Sequence, residues 1–476
     1  MADIKLKVGL FGVGLDTYWG QFDGLKERLV GYQRTIADTI SRFDVDVVDA
    51  GLVDNAIAAR EAADKLKRED VKIVFLYVST YALSSTVLPV VQQLKVPVIV
   101  LNLQPVAAID YKKFNAMSDR TQMTGEWLAH CQACSVPEIA NVLLRSGIAF
   151  HQVTGVLRDD AQAWSEIEDW VAAARVAETM RNNRVGLLGH YYSGMLDIYS
   201  ELTRHSARFG NHFEILEMNE LKALRESVTD YEIASKVEQI REHFDVQTDC
   251  STDEIRRAAR TSVALDNLVA RHTLGSLAYF FNGTGDDAYV DIIASVIVGN
   301  SLLTANGVPV AGEYEVKNVQ AMKILDSFGV GGSFTEFYAM DFNDEVILMG
   351  HDGPGHIKIA SGKTKLKPLK VFHGKVGHGL SVEMSVRTGD VTLLSVIDAP
   401  DGELRLLIAE GEAVAGEILE IGNTNSRYRF PLDIRTFVNK WCSHGPAHHC
   451  AIGVGHVAGK LEKFAELIGM EAVKVC

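Results

Sequence analysis

Cysteine is scarce in this chain, with six in 476 residues. That is too few for a disulfide framework, so reduced, buried thiols are expected. Cys131 and Cys134 form a CxxC in "HCQAC", but a zinc ribbon needs a second such pair, and Cys250, Cys442, Cys450 and Cys476 supply none. Basic charge is also short: 47 Lys and Arg stand against 62 Asp and Glu, a formal net charge of -15. This excess argues against nucleic acid or an anionic membrane face as a partner and favours a small neutral ligand. No apolar run reaches the roughly 18–20 residues that span a bilayer; the longest, "VPVIVLNLQPVAAI", is broken by Asn102, Gln104 and Pro105. The opening "MADIKLKVGLFGVGL" reads as a strand without the basic region and cleavage site of a secretion signal, so a cytoplasmic location is expected. There is no GxSxG elbow, no HExxH helix and no Gly-Lys-Ser/Thr, which leaves the glycine-rich "FNGTGDDAY" as a surface loop. No internal repeat, low-complexity tract or Pro/Ser-rich linker divides the chain.

What is present is a clear alternation of elements. The β-branched runs "KVGLFGV", "VDVVDAG", "KIVFLYV" and "VPVIVLN" are separated by amphipathic stretches such as "DNAIAAREAADKLKRE", the pattern of βαβ units in a parallel sheet. A long helix near residues 159–183 follows, and the alternation restarts with "RVGLLGHYYSG", "EILEMN" and "SLAYFFNGTG". From about residue 331 short alternating runs take over, including "LKVFHGKV" and a hairpin turn in "APDGEL", and the helix "HVAGKLEKFAELIG" closes the chain. The expected fold class is α/β. Two doubly wound parallel-sheet domains (residues 1–175 and 176–330) are followed by a mainly antiparallel β domain (331–476).

Candidate functional residues lie at both ends of the chain. Gly12 and Gly14 follow the first strand, but Thr17 stands where a dinucleotide fingerprint needs its third glycine, so a tight turn is expected. Asp16, Tyr18, Trp19 and Gln21 sit at the carboxyl end of that strand, where α/β sheets bind ligands, and are candidate sugar contacts. At the other end, eight of the fifteen histidines lie between His351 and His456. Four stretches there place carboxylates or imidazoles beside small residues: "PVAGEYEVKN" (Glu313, Glu315), "GGSFTEFYAMDF" (Glu336), "LMGHDGPGHI" (His351, His356) and "GPAHHCAI" (His448, His449). Singly, each reads as an ion-paired carboxylate or a structural histidine; together they offer a Glu/Glu/His/His metal site. His448 and His449 are adjacent, so only one is expected to face a given site. Glu315 shares the face of Glu313 if that segment is extended.

In this order the four stretches resemble the metal-dependent sugar isomerase family that contains L-arabinose isomerase and, more distantly, L-fucose isomerase. The family's Glu-aromatic-x-x-Lys matches Glu313, Tyr314 and Lys317; its Ser-Phe-x-Glu matches "SFTEFY" and Glu336. A Gly-His matches His351 in "MGHDG", and the final His-His pair matches "PAHHC", with His449 as the second member. L-Fucose isomerase has an aspartate where Glu336 stands. The resemblance implies a divalent cation, Mn²⁺ with Co²⁺ or Mg²⁺ also accepted, held by Glu313, Glu336, His351 and His449. It implies aldose–ketose isomerisation of a free pentose or deoxyhexose such as L-arabinose through a cis-enediolate, with Glu313 and Glu336 as the acid/base pair. It also carries over His130 of "EWLAHCQAC" as a residue reaching a neighbouring subunit's active site, and a trimer-based homo-oligomer such as a hexamer. After His351 the chain reads "HDGPGHI" instead of the family's common Met-Leu-Glu-Val-Cys-Pro run, which leaves the sugar open. The competing classes are a non-catalytic sugar-binding or sensor protein and a metal-dependent hydrolase or lyase.

Overall fold

The computed structural model describes residues 5–282, 288–369 and 377–476. It divides into two compact units, Met1–Glu178 and Thr179–Cys476. Most of the expected "FNGTGDDAY" loop and of the "LKVFHGKV" run lies outside the described residues.

In the first unit five parallel strands lie in the order Asp46–Val53, Lys7–Val13, Ile73–Val78, Val98–Gln104 and Phe150–Val156. Every residue of the central run IVFLYV is buried, as a strand covered on both faces requires. The helix Ala56–Arg68 starts where the Asn55 side chain accepts from the N–H groups of Ile57 and Ala58, and it buries Ala59, Ala62, Ala63 and Leu66. At Gly12 a Cβ would lie 2.2 Å from Gln33 Oε1, so this glycine serves helix–strand packing and not a phosphate. Asp16, Tyr18, Trp19 and Gln21 follow the first strand as expected, and Asp54 accepts from the Trp19 indole at 2.7 Å.

The CxxC corrects the expectation of free thiols: Cys131 and Cys134 form a disulfide, with Cα atoms 5.6 Å apart. Cys131 caps the helix Gln132–Arg145, and the first helical turn brings residues three apart to bonding separation.

The second unit begins with a four-stranded parallel sheet ordered Val310–Ala311, Ser276–Phe280, Arg184–Gly189 and His212–Leu216. Beyond it six strands run Gly389–Asp398, His449–Val454, Ser333–Asp341, Val346–His351, Thr424–Arg429 and Leu404–Val414. The last pairs antiparallel with the first across the "APDGEL" turn, so the sheet closes into a barrel. Leu393, Leu407, Met349, Tyr428 and Ile452 belong to one buried cluster, each large aliphatic side chain contributing about 1.5–3 kcal/mol. The helix Ala458–Leu467 does not end the chain: Glu471–Lys474 adds a parallel strand to Leu404–Val414. No helix among the described residues is long and apolar enough to cross a membrane.

One buried histidine gives the fold an acid sensitivity. His205, on the helix Leu202–Phe209, is fully buried, and neither ring nitrogen has a hydrogen-bond partner. Burial lowers its pKa to about 4, although the charge of Asp398 pulls the other way. Its folded pKa thus lies below the unfolded value, so the contribution is present above about pH 6.5 and is lost as the pH falls toward 4. The expected loss between pH 7 and pH 5 is about 2 kcal/mol. Urea unfolding at the two pH values checks this: His205→Leu should flatten the dependence by that amount, and an unchanged slope would contradict it.

Candidate active site

Three neighbouring barrel strands build the centre of the site. In their register Glu336 stands directly opposite His449 on one side and opposite Gly350, the residue before His351, on the other. Strands about 4.8 Å apart thereby bring three chemically distinct side chains to one place. One ligand atom from each of Glu336, His351 and His449 lies within 4.8 Å of the others. Phe334 packs against both imidazoles, with ring centroids 4.4 Å from each, which fixes where the rings stand.

Glu313 arrives from the parallel sheet. It follows the strand Val310–Ala311 on a turn in which Glu313 and Tyr314 have φ of 59° and 64°. Non-glycine residues in this region cost about 1–3 kcal/mol each and persist where the surroundings enforce them. The turn has a consequence at His449. The carboxylate of Glu313 lies 3.5 Å from Nε2, while the fully buried Glu315 carboxylate accepts from Nδ1 at 2.5 Å. Glu315 therefore does not share the face of Glu313 as an extended segment would have it; the two carboxylates address opposite nitrogens of one ring.

His448 corrects a second expectation. It precedes the strand His449–Val454 instead of lying on it, and both imidazoles turn toward Glu313, their centroids 3.7 Å apart. Nε2 of His448 is 3.6 Å from Glu313, and Asp197 Oδ2 accepts from its Nδ1 at 2.6 Å and from its backbone N–H at 3.0 Å. Burial alone would lower the His448 pKa, but the hydrogen bonds to Glu313 and Asp197 raise it to about 9. Lys317 donates to the carbonyl of Asp197 and holds that loop in place. Glu313, His448 and His449 make a second triad of the same dimensions.

The residues present fit a divalent cation. Nδ1 of His449 is committed to Glu315, and its Nε2, buried and without a hydrogen-bond partner, faces the carboxylates. A carboxylate on the far nitrogen is the usual support of a metal-ligating histidine. Both triads draw on His449, and with Nδ1 bonded to Glu315 that ring has one nitrogen left to offer. Carboxylates with imidazoles suit Mn²⁺, Co²⁺ or Mg²⁺.

The cluster opens on a cleft of about 550 Å³ that Tyr192, Tyr279, Tyr338, Asp352 and Asn423 also line. Burial, then the charges of Glu336 and Asp352, push the Tyr338 phenol up, and burial does the same for Tyr279, so both stay neutral. Asn423 donates to the Tyr338 hydroxyl at 3.0 Å. His356 stands apart from the cluster, its ring 3.7 Å from Asp326 and its backbone N–H bonded to Ser333. Asp16, Tyr18, Trp19, Gln21 and His130 belong to the first unit. There the Gln21 amide donates to the Thr17 carbonyl, and Nδ1 of His130 lies 2.9 Å from the carbonyl of Glu126. Sequence reasoning named His448 but expected only one of the pair to face the site, and it missed Asp197, Tyr192, Tyr279 and Tyr338.

Known proteins share this arrangement of sequence. Residues 331–471 match the family model of the L-arabinose isomerase C-terminal domain. The chain is 24% identical over 351 residues to an L-arabinose isomerase of Nocardioides sp., covering 71% of this chain and 68% of that protein. It is 22% identical to one of Cellvibrio japonicus (66% and 64%) and 21% identical to one of Bifidobacterium adolescentis (70% and 68%). Over residues 331–471 the chain thus resembles the C-terminal domain of L-arabinose isomerases, and over about two thirds of its length it is similar to whole members of that group.

Proposed function

We propose that the protein is a divalent-metal-dependent aldose–ketose isomerase acting on a free pentose or deoxyhexose, with L-arabinose, the sugar named in its relatives, as the first substrate to test. The observation that carries this reading is that the triads Glu336/His351/His449 and Glu313/His448/His449 share His449, whose buried Nε2 lies 3.5 Å from Glu313, beside a cleft that Glu313, Glu336 and His351 line. Glu313, Glu336, His351 and His449 would hold the cation, and Mn²⁺ is the ion expected. When bound, it supplies Lewis acidity to the sugar's O1 and O2, where negative charge develops.

The remaining work falls to the protein. Glu313 and Glu336 both line the cleft, and a carboxylate on either side of the C1–C2 bond can take the proton from C2 and return one to C1. Glu315 keeps His449 in a single tautomer. His448, held by Asp197, brings its Nε2 to 3.6 Å from Glu313 on the cleft wall, where it can donate to a sugar oxygen. Asp16, Tyr18, Trp19, Gln21 and His130 are proposed to contact sugar in a homo-oligomer built on trimers.

Incubation of the protein with a panel of aldoses in D₂O, followed by NMR, tests the reading. Ketose carrying deuterium at C1 is expected, abolished by chelator and restored by Mn²⁺. Binding without turnover would favour a sugar sensor, and turnover without exchange of a carbon-bound proton would favour a hydrolase.

A further inference from the structure

The CxxC of the first unit takes no part in the cluster described above. Cys131 and Cys134 are bonded to each other, while Cys250, Cys442, Cys450 and Cys476 are free, and Cys442 among them is exposed. Where other thiols stay free, an isolated CxxC bridge has the pattern of a redox pair and not of a framework. Its two sulfurs are also placed differently. Cys131 is 2% exposed and caps the helix Gln132–Arg145, whereas Cys134, in the first turn of that helix, is exposed.

Other bonds hold the chain around the bridge. Thr80 Oγ1 donates to the Leu128 carbonyl at 2.7 Å, the Gln132 amide to the Ser79 carbonyl at 2.8 Å, and the Ala82 N–H to Ser135 Oγ at 2.7 Å. These contacts tie both sides of the CxxC to the segment that follows the strand Ile73–Val78, and none uses sulfur. A bridge over so short a loop also constrains the unfolded chain least. It can therefore open without the helix leaving the sheet. We infer that Cys131–Cys134 is a reversible redox site for external thiols, attacked at Cys134. A thiolate bonds to Cys134 Sγ as the bridge breaks, and Cys131 leaves as a thiolate at the helix N-cap, where first-turn N–H groups favour negative charge. A second thiolate attacks the outer sulfur of the mixed disulfide and frees Cys134. Two electrons and two protons thus pass to the protein, and the reagents leave as their own disulfide.

The full chain is equilibrated without denaturant in mixtures of reduced and oxidised glutathione, quenched with acid and alkylated, and the peptide carrying both cysteines is read by mass spectrometry. Circular dichroism on the same samples reports the fold. The pair should open and close reversibly with the glutathione ratio, as a two-electron couple, while the fold persists. A bridge that resists reduction until urea unfolds the protein would be a structural staple and would overturn the inference. So would two thiols that stay unpaired across the whole series. Single variants test the direction of attack. Cys131→Ser, which keeps the exposed sulfur, should form the Cys134 adduct with oxidised glutathione at least about tenfold faster than Cys134→Ser forms one at the buried Cys131. Equal rates in folded variants would overturn Cys134 as the attacked sulfur, and if either variant fails to fold the wild-type series decides.

Discussion

Glu336→Gln should lower turnover by about 10²–10⁴-fold while the fold survives. Glu336 sits mid-sheet, hydrogen-bonded in register to strands on both sides, and the amide matches the carboxylate in shape, so the barrel has no reason to open. What is lost is an anionic ligand and a proton acceptor at the cleft. Steady-state kinetics at saturating Mn²⁺, paired with thermal unfolding, separates the two effects. An E336Q protein with near wild-type turnover would remove this residue from the acid/base pair.

The second large effect is expected from a residue that touches no substrate. Glu315→Ala should weaken Mn²⁺ binding by about 10–100-fold, the usual cost of losing the partner that orients a ligating histidine. The fully buried Glu315 is the acceptor for Nδ1–H of His449. Without it that donor is left buried and unpaired, which also costs about 1–3 kcal/mol of stability. Glu315→Gln keeps an acceptor oxygen and should recover most of the stability, but less of the affinity because the charge is gone. Metal titration and urea unfolding on both variants read these outcomes. Wild-type affinity in the alanine variant would mean that Glu315 is structural and no support of the metal site.

How much of this was legible in the sequence depended on how local each signal is. The parallel strands were, because "KIVFLYV" declares a strand buried on both faces, and the strand Ile73–Val78 lies within it. The antiparallel region was legible as a kind of structure but not as a barrel, since closure depends on Gly389–Asp398 meeting both Leu404–Val414 and His449–Val454. The terminal strand Glu471–Lys474 has four residues, too few for alternation to show. In the site, Glu313, Glu336, His351 and His449 were marked by the resemblance; Glu313, Glu336 and His351 line one cleft, and the buried His449 belongs to both triads beside it. The part played by His448 was not legible, because periodicity assigns facing only within a strand and His448 lies just before one. Nor was that of Glu315, whose direction depends on two successive left-handed residues that no rule of alternation anticipates. The Cys131–Cys134 bridge was missed because composition speaks about frameworks and not about a single helical turn.

The claim on which the rest depends is that four side chains, distant in sequence, seat a single cation. Crystals grown with Mn²⁺ and measured at its absorption edge test this directly. One anomalous peak per chain is expected, bonded to Glu313, Glu336, His351 and Nε2 of His449, with Nδ1 of His449 still on Glu315. No peak at that place, or one held by other residues while these four remain bonded among themselves, would contradict it.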